Sequence, residues 1–313
     1  MRNFLTRRSA LIIFLMAIAL TLGVSGQTPS QSPRPTASHA QPQASIDSGS
    51  HIQPLRPGFE FPRQTLRYEA EYRFWTAGVA TLRIERSGNQ EHVSGTADST
   101  GVVALLFRVQ DRFNSYFDAK TLCSAKLVKH TEEGSHWRDT TITFDYSRGK
   151  AILEEKNLKT NQAKHIESDI PGCVTDIMSG LLYVASLPLQ QGASYSFPLN
   201  DGGKTVTIHA HVEGKEQIKT PAGTFQTIRV GPEGDYSVLK DRGRIWIWYS
   251  DDERHLPIQI RAKLFWGTLA MYMLAIWCFV KHNEGVASMF LGIQILSKFT
   301  LFRLNSFLNQ KYE

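Results

Sequence analysis

Cysteine is scarce in this chain, with three residues in 313. Cys123, Cys173 and Cys278 form no CxxC pair and have no histidine at the spacing of a zinc site, so we predict no cysteine-bound metal. In an oxidising compartment Cys123 and Cys173 could form a disulfide. The sequence does not give the distance between them, so the pairing stays open at this point.

Motifs of the common enzyme classes are also missing. The sequence contains no GxSxG elbow, HExxH, P-loop or GxGxxG. Ser135, His136 and Asp139 have the residue types of a hydrolase triad, but Ser135 and His136, as neighbours on a strand, point to opposite faces. We therefore predict a protein that is not an enzyme, with no catalytic residue, no metal site and no cofactor.

A concentrated basic region is absent from the body of the chain. Most of the net charge of +6 comes from Arg2, Arg7 and Arg8 and from the residues after Leu269. Nucleic-acid-binding proteins concentrate basic side chains on one face, because neutralising phosphates supplies most of their affinity. We therefore expect no nucleic-acid partner.

The N-terminus has the three parts of a secretory signal peptide. Arg2, Arg7 and Arg8 are followed by an apolar stretch at residues 10–24 and by small residues up to Gly26. A membrane-spanning helix needs about 20 apolar residues, so an uncleaved anchor is the weaker alternative. We predict that residues 1–26 are a cleaved signal peptide and that the mature protein is periplasmic.

The next segment, residues 27–60, is rich in proline, serine and glutamine and poor in large apolar side chains. Such a composition cannot bury enough apolar surface to offset the entropy lost on folding. We therefore predict a disordered linker here, followed by a β domain over residues 61–269.

Apolar and polar residues alternate with a period of two through most of residues 61–269, which is typical of strands with one buried face. Leu66, Tyr68 and Ala70, for example, share one face, while Arg67 and Glu69 share the other. Gly, Pro, Asn or Asp separates most of these segments, as expected for hairpin turns. The predicted strands cover residues 66–74, 79–86, 107–117, 124–132, 136–145, 151–156, 205–213, 225–230, 243–249 and 256–266.

One segment departs from this alternation. Between residues 175 and 187 apolar residues recur at helical spacing, Thr175 or Asp176 is available as the N-cap, and Pro188 follows the end. These apolar residues are Ile177, Met178, Leu181, Leu182 and Ala185. We predict a mainly β fold, in which a strongly curved antiparallel sheet or open β-barrel has one helix on its concave side.

The nearest approach to a metal site is His209, His211 and Glu213. Alternate residues of a strand share one face, so two imidazoles and a carboxylate could reach one ion. Thr205 and Thr207 continue the same face, however, and this favours a polar stripe that faces solvent.

Two further groups of residues could have functional roles. Asp251, Asp252 and Glu253 could bind calcium, but their position between two apolar strands favours a turn. Aromatic residues on predicted strands could line an apolar cavity for a lipid-like ligand, although the pattern favours an ordinary core. They are Tyr68, Tyr72, Phe74, Phe107, Phe113, Phe117, Trp246, Trp248, Phe265 and Trp266.

Several short segments of the sequence resemble those of an exported bacterial family, domain of unknown function 3108. They are LRYE at 66–69, AGVATL at 77–82, DIMSGLLY at 176–183, KTPAGTF at 219–225 and IWYSDDERHLPI at 247–258. They occur in the family's order over roughly residues 61–269. The resemblance implies a periplasmic, mainly β protein, and it implies no known activity, ligand or catalytic residue.

The C-terminus departs from that family pattern. Residues 270–313 form an atypical hydrophobic tail, and residues 264–280 are uncharged, which is at the lower limit for a transmembrane helix. The first residues of this stretch belong to the expected last strand, so we predict that it does not span a membrane. Membrane anchoring or association through the tail is the alternative.

These observations together predict an exported, non-enzymatic binding module for an envelope component or an apolar, lipid-like ligand. The alternative function is an enzyme that acts on cell-envelope polymers, with a metal ion on the face formed by His209, His211 and Glu213. The sequence assigns no ligand-binding residue.

Overall fold

The structure is a computed structural model, and it describes residues 52–53, 55–72, 75–201, 203–234, 244–264, 267–282 and 285–291. The predicted signal peptide, most of the predicted linker and the end of the predicted tail lie outside these residues. So do Phe74, Phe265 and Trp266, three of the aromatic residues considered above.

Within the described residues, the fold consists of fifteen strands and two helices. The strands are β1 (Gln64–Tyr72), β2 (Trp75–Ser87), β3 (Gln90–Ser99), β4 (Val109–Asp118), β5 (Ser124–Glu133), β6 (His136–Asp145), β7 (Lys150–Asn157), β8 (Ala163–Asp169), β9 (Ser194–Asn200), β10 (Thr205–Thr220), β11 (Gly223–Gly234), β12 (Arg244–Ser250), β13 (Pro257–Leu264), β14 (Gly267–His282) and β15 (Gly285–Leu291). The helices are α1 (Gly101–Leu106) and α2 (Ile177–Ser186).

All the strands belong to one antiparallel sheet. Its order is β8-β7-β6-β5-β4-β3-β2-β1-β14-β13-β12-β11-β10-β9, and β15 pairs with β14. Most paired strands are neighbours in the sequence. The exception is β1, which also pairs with the distant strand β14, with Gln64 opposite Cys278 and Tyr72 opposite Leu269. The main path of the sheet therefore ends at two edge strands, β8 and β9, and the sheet is not closed into a barrel.

Side chains, rather than a backbone ladder, bring the two edges together. Asn200 Nδ2 donates to Ser168 Oγ (3.2 Å), and Thr205 Oγ1 donates to the carbonyl oxygen of Asp169 (3.1 Å). A sheet whose edges meet in this way is strongly curved. The predicted fold class, a curved antiparallel sheet with a helix on its concave side, is confirmed.

Helix α2 lies on the concave side, where the core surrounds it. Asp176 is its N-cap, as predicted, and forms a capping box with Ser179. Eight of the ten residues of α2 are buried. Met178 contacts Gly95 of β3, and the ring of Tyr183 lies 4.9 Å from that of Phe197 of β9. The helix therefore fills the space between distant parts of the sheet.

The sequence interpretation missed α1 and several strands. It predicted one helix, whereas the six residues of α1 form a second, with no buried residue. Without a buried face the segment has no helical periodicity to detect. Strands β3, β8 and β9 were also missed, since β3 contains Gly95 and several small polar residues and β8 is largely exposed.

The C-terminal part of the sheet extends beyond the predicted domain boundary. Strand β14 runs from Gly267 to His282, so the boundary at Leu269 falls inside a strand. Residues 270–282, which the sequence interpretation assigned to a tail, continue the sheet, and Ala270 and Met273 are buried. Among the described residues, no helix combines the length and the apolar character needed to cross a bilayer.

Cys123 and Cys173 form a disulfide, with their Cα atoms 5.1 Å apart. The bond joins the turn between β4 and β5 to the segment that leads into α2. The next residue, Ser124, donates its backbone N–H to the carbonyl oxygen of Val174 (2.9 Å). The pairing that the sequence left open therefore anchors the start of the buried helix to the sheet.

Candidate functional site

The side chains on the histidine face of β10 are paired with neighbouring residues. His209 Nδ1 lies 2.8 Å from Ser196 Oγ, and His211 Nδ1 lies 2.9 Å from Ser194 Oγ. Glu213 forms an ion pair with Arg229 and accepts a hydrogen bond from Trp246 Nε1 (3.1 Å). In the part of the chain that the structure describes, no group of three His, Cys, Asp or Glu side chains is placed to hold a metal ion.

The acidic run from Asp251 to Glu253 forms the turn between β12 and β13. Asp252 Oδ1 accepts hydrogen bonds from Ser250 Oγ (2.7 Å) and from the backbone N–H of Arg254 (3.1 Å). Asp251 accepts from Lys215 Nζ, with the shorter contact at 2.7 Å. Turn formation and ion pairing therefore account for these carboxylates.

The residues with hydrolase-triad chemistry are not brought together as a triad. Asp139 contacts His130 Nδ1 at 2.6 Å, on the neighbouring strand β5, rather than His136. His136 Nδ1 and Ser135 Oγ are 3.4 Å apart at the turn between β5 and β6. Both hydrogen bonds are exposed.

Three of the described candidate aromatic residues pack in the core. Tyr68, Phe113 and Phe117 are buried in the same cluster as Leu182 and Tyr183 of α2. Tyr68 Oη donates to the carbonyl oxygen of Pro257 (2.8 Å), and desolvation by burial raises the pKa of its phenol. Helix α2 therefore occupies the space that a ligand on the concave side would need.

Trp246 and Trp248 point away from this core. Their neighbours Ile247 and Tyr249 join the inner cluster, so alternation places the two indoles on the convex face. Trp248 Nε1 donates to Glu216 Oε1 (2.9 Å), and the guanidinium of Arg261 lies 5.2 Å from the Trp248 ring centroid. These two indoles therefore do not belong to the inner cluster, and the alternative of an apolar ligand cavity stays a prediction for them.

A buried charged cluster, which the sequence interpretation missed, lies on the inner face of β4 and β5. Lys129 Nζ contacts Asp201 Oδ1 at 2.6 Å, and both side chains are 3% exposed. On the same inner face, Asp111 is fully buried beside Glu133. Asp111 Oδ1 accepts a hydrogen bond from the backbone N–H of Glu132 (3.1 Å).

Two carboxyl groups of this cluster, those of Asp111 and Glu133, have raised pKa values. Burial, together with the negative charge of Glu133, raises the pKa of Asp111 to about 8. Burial also raises the pKa of Glu133, although the positive charge of Arg138 opposes that shift. Carboxyl groups with raised pKa values are common in active sites. These two are shielded from solvent, however, so they could not reach a substrate without a rearrangement of the sheet.

An open cavity of about 700 Å³ lies at the end of the sheet where β2 turns into β3. It is lined by Glu60, Phe61, Pro62, Arg63, Arg86 and Gly88. Arg86 is already paired across it with Glu60 (3.2 Å).

The opposite end of the sheet carries exposed apolar side chains. They are Trp75, Val102, Leu105 and Leu106, and Leu105 and Leu106 are 86% and 82% exposed. Three of the four belong to α1, and Trp75 begins β2. Large apolar side chains gathered at one place on a surface are typical of a site that binds a partner or a membrane.

Hydrogen bonds connect α1 to its neighbours at this end. The backbone N–H of Thr100 donates to the carbonyl oxygen of Ala77 (3.0 Å), which joins the start of α1 to β2. The backbone N–H of Gly134 donates to the carbonyl oxygen of Arg108 (2.9 Å), and Phe107 packs over Gly134. The connection containing α1 is therefore held between β2 and the turn from β5 to β6.

Two exposed basic residues flank the apolar group. Arg108 follows α1, and Lys159 lies in the turn between β7 and β8, with Nζ 4.6 Å from the Trp137 ring centroid. Lys159 Nζ also donates to the carbonyl oxygen of Gly134 (3.5 Å). We call the combined surface the rim patch. It consists of Trp75, Val102, Leu105, Leu106, Arg108 and Lys159.

The sequence interpretation missed the rim patch, although a signal for it was present. Residues 102–107 read Val-Val-Ala-Leu-Leu-Phe, an apolar run between two alternating segments and without alternation of its own. Such a run is equally typical of a buried strand, and the predicted strand 107–117 begins at its last residue. Only the structure shows that half of the run is exposed.

Comparisons with known proteins agree on the fold and identify no activity. A comparison with curated proteins finds no match. A Brucella abortus protein described as a β-barrel-like protein of domain of unknown function DUF1849 has a TM-score of 0.52 and 9% identity, and the match covers 71% of this chain and 100% of that one. At that identity the likeness concerns the fold alone.

Two other solved structures match less well. One, from Bacteroides fragilis, is described as exported with a YmcC-like fold (TM-score 0.29, 10% identity, 70% of this chain and 98% of that one). The other, from Parabacteroides distasonis, is described as a lipoprotein (TM-score 0.27, 11% identity, 69% of this chain and 97% of that one). Neither likeness is close enough to support an argument.

The family comparison covers most of the folded part of the chain. The match spans residues 67–274, from β1 into β14, and so includes both helices and the rim patch. The matched family has no assigned function. The chain belongs to the family described as Protein of unknown function (DUF3108).

Proposed function

We propose that the protein is an exported, non-enzymatic binding module of the cell envelope, and that the rim patch contacts its envelope component. The observation that carries the proposal is the gathering of exposed apolar side chains at one end of the sheet. Leaving them in water costs about 25 cal/mol for each Å² of apolar surface, so a partner that covers them gains that free energy. The N-terminal signal sequence supports export.

The filled concave side favours this proposal over an apolar ligand held inside the sheet. An inner ligand would have to displace α2, whose capping Asp176 accepts hydrogen bonds from Ser115 Oγ (2.6 Å) and Ser124 Oγ (2.7 Å). The rim patch needs no such displacement. Its apolar side chains already face solvent.

Export is tested by fractionation of cells that express the full chain. The expected result is a product shortened by about the length of a signal peptide, cleaved near Gly26 and released by osmotic shock with periplasmic proteins. Retention of the full-length product in the cytoplasm would overturn the export half of the proposal.

Binding through the rim patch is tested by photo-crosslinking in living cells. A photoreactive amino acid replaces Leu105 of the rim patch, and the matched control replaces Lys120, an exposed residue in the turn between β4 and β5 at the other end of the sheet. The expected result is a crosslink to an envelope lipid or envelope protein at position 105 and not at position 120. Equal crosslinking at both positions, or none at either, would contradict the role of the rim patch.

A further inference from the structure

We propose that the envelope component bound by the rim patch is the surface of an anionic lipid bilayer. The inference rests on the proposed function, because it names the partner of the same surface. It follows from the exposure of α1, from the backbone hydrogen bonds of that helix and from the charges beside it.

Helix α1 has the properties of a short segment that enters the outer part of a bilayer. Val102, Leu105 and Leu106 are exposed, so these three apolar side chains can leave water without loss of packing. Its ends form backbone hydrogen bonds, from Ala104 N–H to the Thr100 carbonyl oxygen (3.3 Å) and from Phe107 N–H to the Val103 carbonyl oxygen (2.7 Å). A segment with its own backbone hydrogen bonds enters an apolar phase at lower cost.

The residues around α1 match the layers of a membrane surface. Leu105 and Leu106 are suited to the acyl region, whereas tryptophans such as Trp75 concentrate at the level of the headgroups. Arg108 and Lys159 flank the apolar residues, where they could contact anionic phosphates. Each basic residue near such a surface contributes about fivefold to binding, the equivalent of about 1 kcal/mol.

The connections beside α1 are basic, whereas the turn between β12 and β13 at the other end is acidic, although Lys120 and Arg148 also lie at that other end. Residues 100–108, 134–135 and 158–162, the three connections at the rim patch, contain Arg108 and Lys159 and no acidic residue. At the other end, the turn between β12 and β13 contains Asp251, Asp252 and Glu253 against Arg254. An anionic surface would attract the first end and repel that turn.

The small size of α1 favours a bilayer over a protein partner. Its six residues extend about 9 Å at 1.5 Å per residue. A stable protein interface buries about 800 Å² on each partner and involves roughly 20–30 residues on each side. A bilayer needs no such extended complementary surface, because it accommodates a few inserted side chains.

The test is flotation of the mature chain with vesicles. One set contains phosphatidylethanolamine and phosphatidylglycerol, and the other contains only phosphatidylcholine. We expect binding to the anionic vesicles, weaker binding to the neutral ones, and loss of about tenfold or more when Leu105→Glu and Leu106→Glu are combined. These positions are exposed, so circular dichroism should show a folded variant.

Paired charge variants provide the matched control. Arg108→Gln with Lys159→Gln should weaken binding to anionic vesicles by about fivefold per residue, whereas Lys120→Gln with Arg148→Gln, which removes the same charge at the other end, should have little effect. Equal effects of the two pairs, or vesicle binding that survives both Leu→Glu substitutions, would overturn the inference.

The vesicle and crosslinking results together separate the two proposals. If the wild-type chain binds no vesicles but position 105 crosslinks to an envelope protein, the bilayer inference is wrong and the proposed function stands. If neither vesicle binding nor selective crosslinking is observed, both are wrong.

Discussion

The Nζ atom of Lys129 lies 2.6 Å from Oδ1 of Asp201, and this buried ion pair joins β5 to the turn between β9 and β10. These elements belong to opposite halves of the sheet, whose edge strands β8 and β9 share no ladder. Asn200 and Thr205, on either side of Asp201, contact β8 through Ser168 and Asp169. The ion pair is therefore part of the contact that keeps the curved sheet nearly closed.

Removal of Lys129 is expected to destabilise the fold strongly. Lys129→Ala leaves Asp201 buried without its cation, and an unpaired buried charge costs about 3–5 kcal/mol. Urea denaturation, followed by tryptophan fluorescence, measures the change in the free energy of unfolding.

The matched control is Lys150→Ala. Lys150 Nζ is also 2.6 Å from its partner, Asp169 Oδ1, but that carboxylate is 89% exposed. An exposed pair contributes about 1 kcal/mol or less. Similar losses in the free energy of unfolding for the two variants would show that burial does not increase the contribution of the Lys129 pair to stability.

Stability should also depend on pH through Asp111. Its pKa is raised to about 8 by burial, so the folded state keeps a proton that the unfolded chain releases above about pH 4. Because the folded state then holds more protons, the free energy of unfolding falls as the pH rises from about 4 to about 8. Below that window both states are protonated, and above it both are ionised.

The Asp111→Asn variant isolates this contribution. An amide cannot ionise, so the fall in stability between pH 5 and pH 8 should be shallower than in the wild-type protein. Urea midpoints across that range measure the slope, and Glu154→Gln, at an exposed position of β7, is the control. An unchanged slope in Asp111→Asn would contradict the raised pKa.

Sequence patterns predicted the strands and the helix that have a buried face, and they missed elements without one. Alternation located strands such as β4, where every second residue from Val109 to Phe117 is buried, and helical spacing located α2 with its N-cap Asp176. The same signal fails for β8 and α1, because neither has a fully buried face. Pairing of β1 with β14 is a long-range contact, so local alternation does not indicate that residues 270–282 continue the sheet.

The candidate site was less predictable than the fold, for two physical reasons. Asp111 and Lys129 occupy inward positions where alternation predicts apolar residues, and their partners come from other elements, Asp201 from the far half of the sheet. The rim patch consists of apolar residues in a connection, and hydrophobicity alone predicts burial. For the histidine face of β10, in contrast, the neighbouring residues of the same strand favour a polar stripe, and the hydrogen bonds of His209 and His211 to serine are both exposed.

The metal hypothesis for that face gives a direct prediction. The mature protein should contain no stoichiometric metal, and His209→Ala with His211→Ala should leave its metal content unchanged, because serine hydroxyl groups already contact both imidazoles. Elemental analysis after dialysis, with Ser196→Ala as the control for loss of the hydroxyl partner, provides the measurement. If the protein instead contains one equivalent of zinc, and if the two histidine substitutions remove it, the alternative of a metal-assisted enzyme is restored.

The disulfide between Cys123 and Cys173 gives the last prediction, which concerns the anchoring of α2. The bond closes a separation of 50 residues, and loss of a native disulfide from an exported domain costs about 2–5 kcal/mol. Cys123→Ala with Cys173→Ala should therefore lower the Tm, and α2 should be affected first because Ser124 and Asp176 lie next to the bond. Hydrogen exchange measures this directly: amide protection of α2 should fall more than that of β12. An equal loss of amide protection in α2 and β12 would mean that the disulfide stabilises the whole fold rather than α2 in particular.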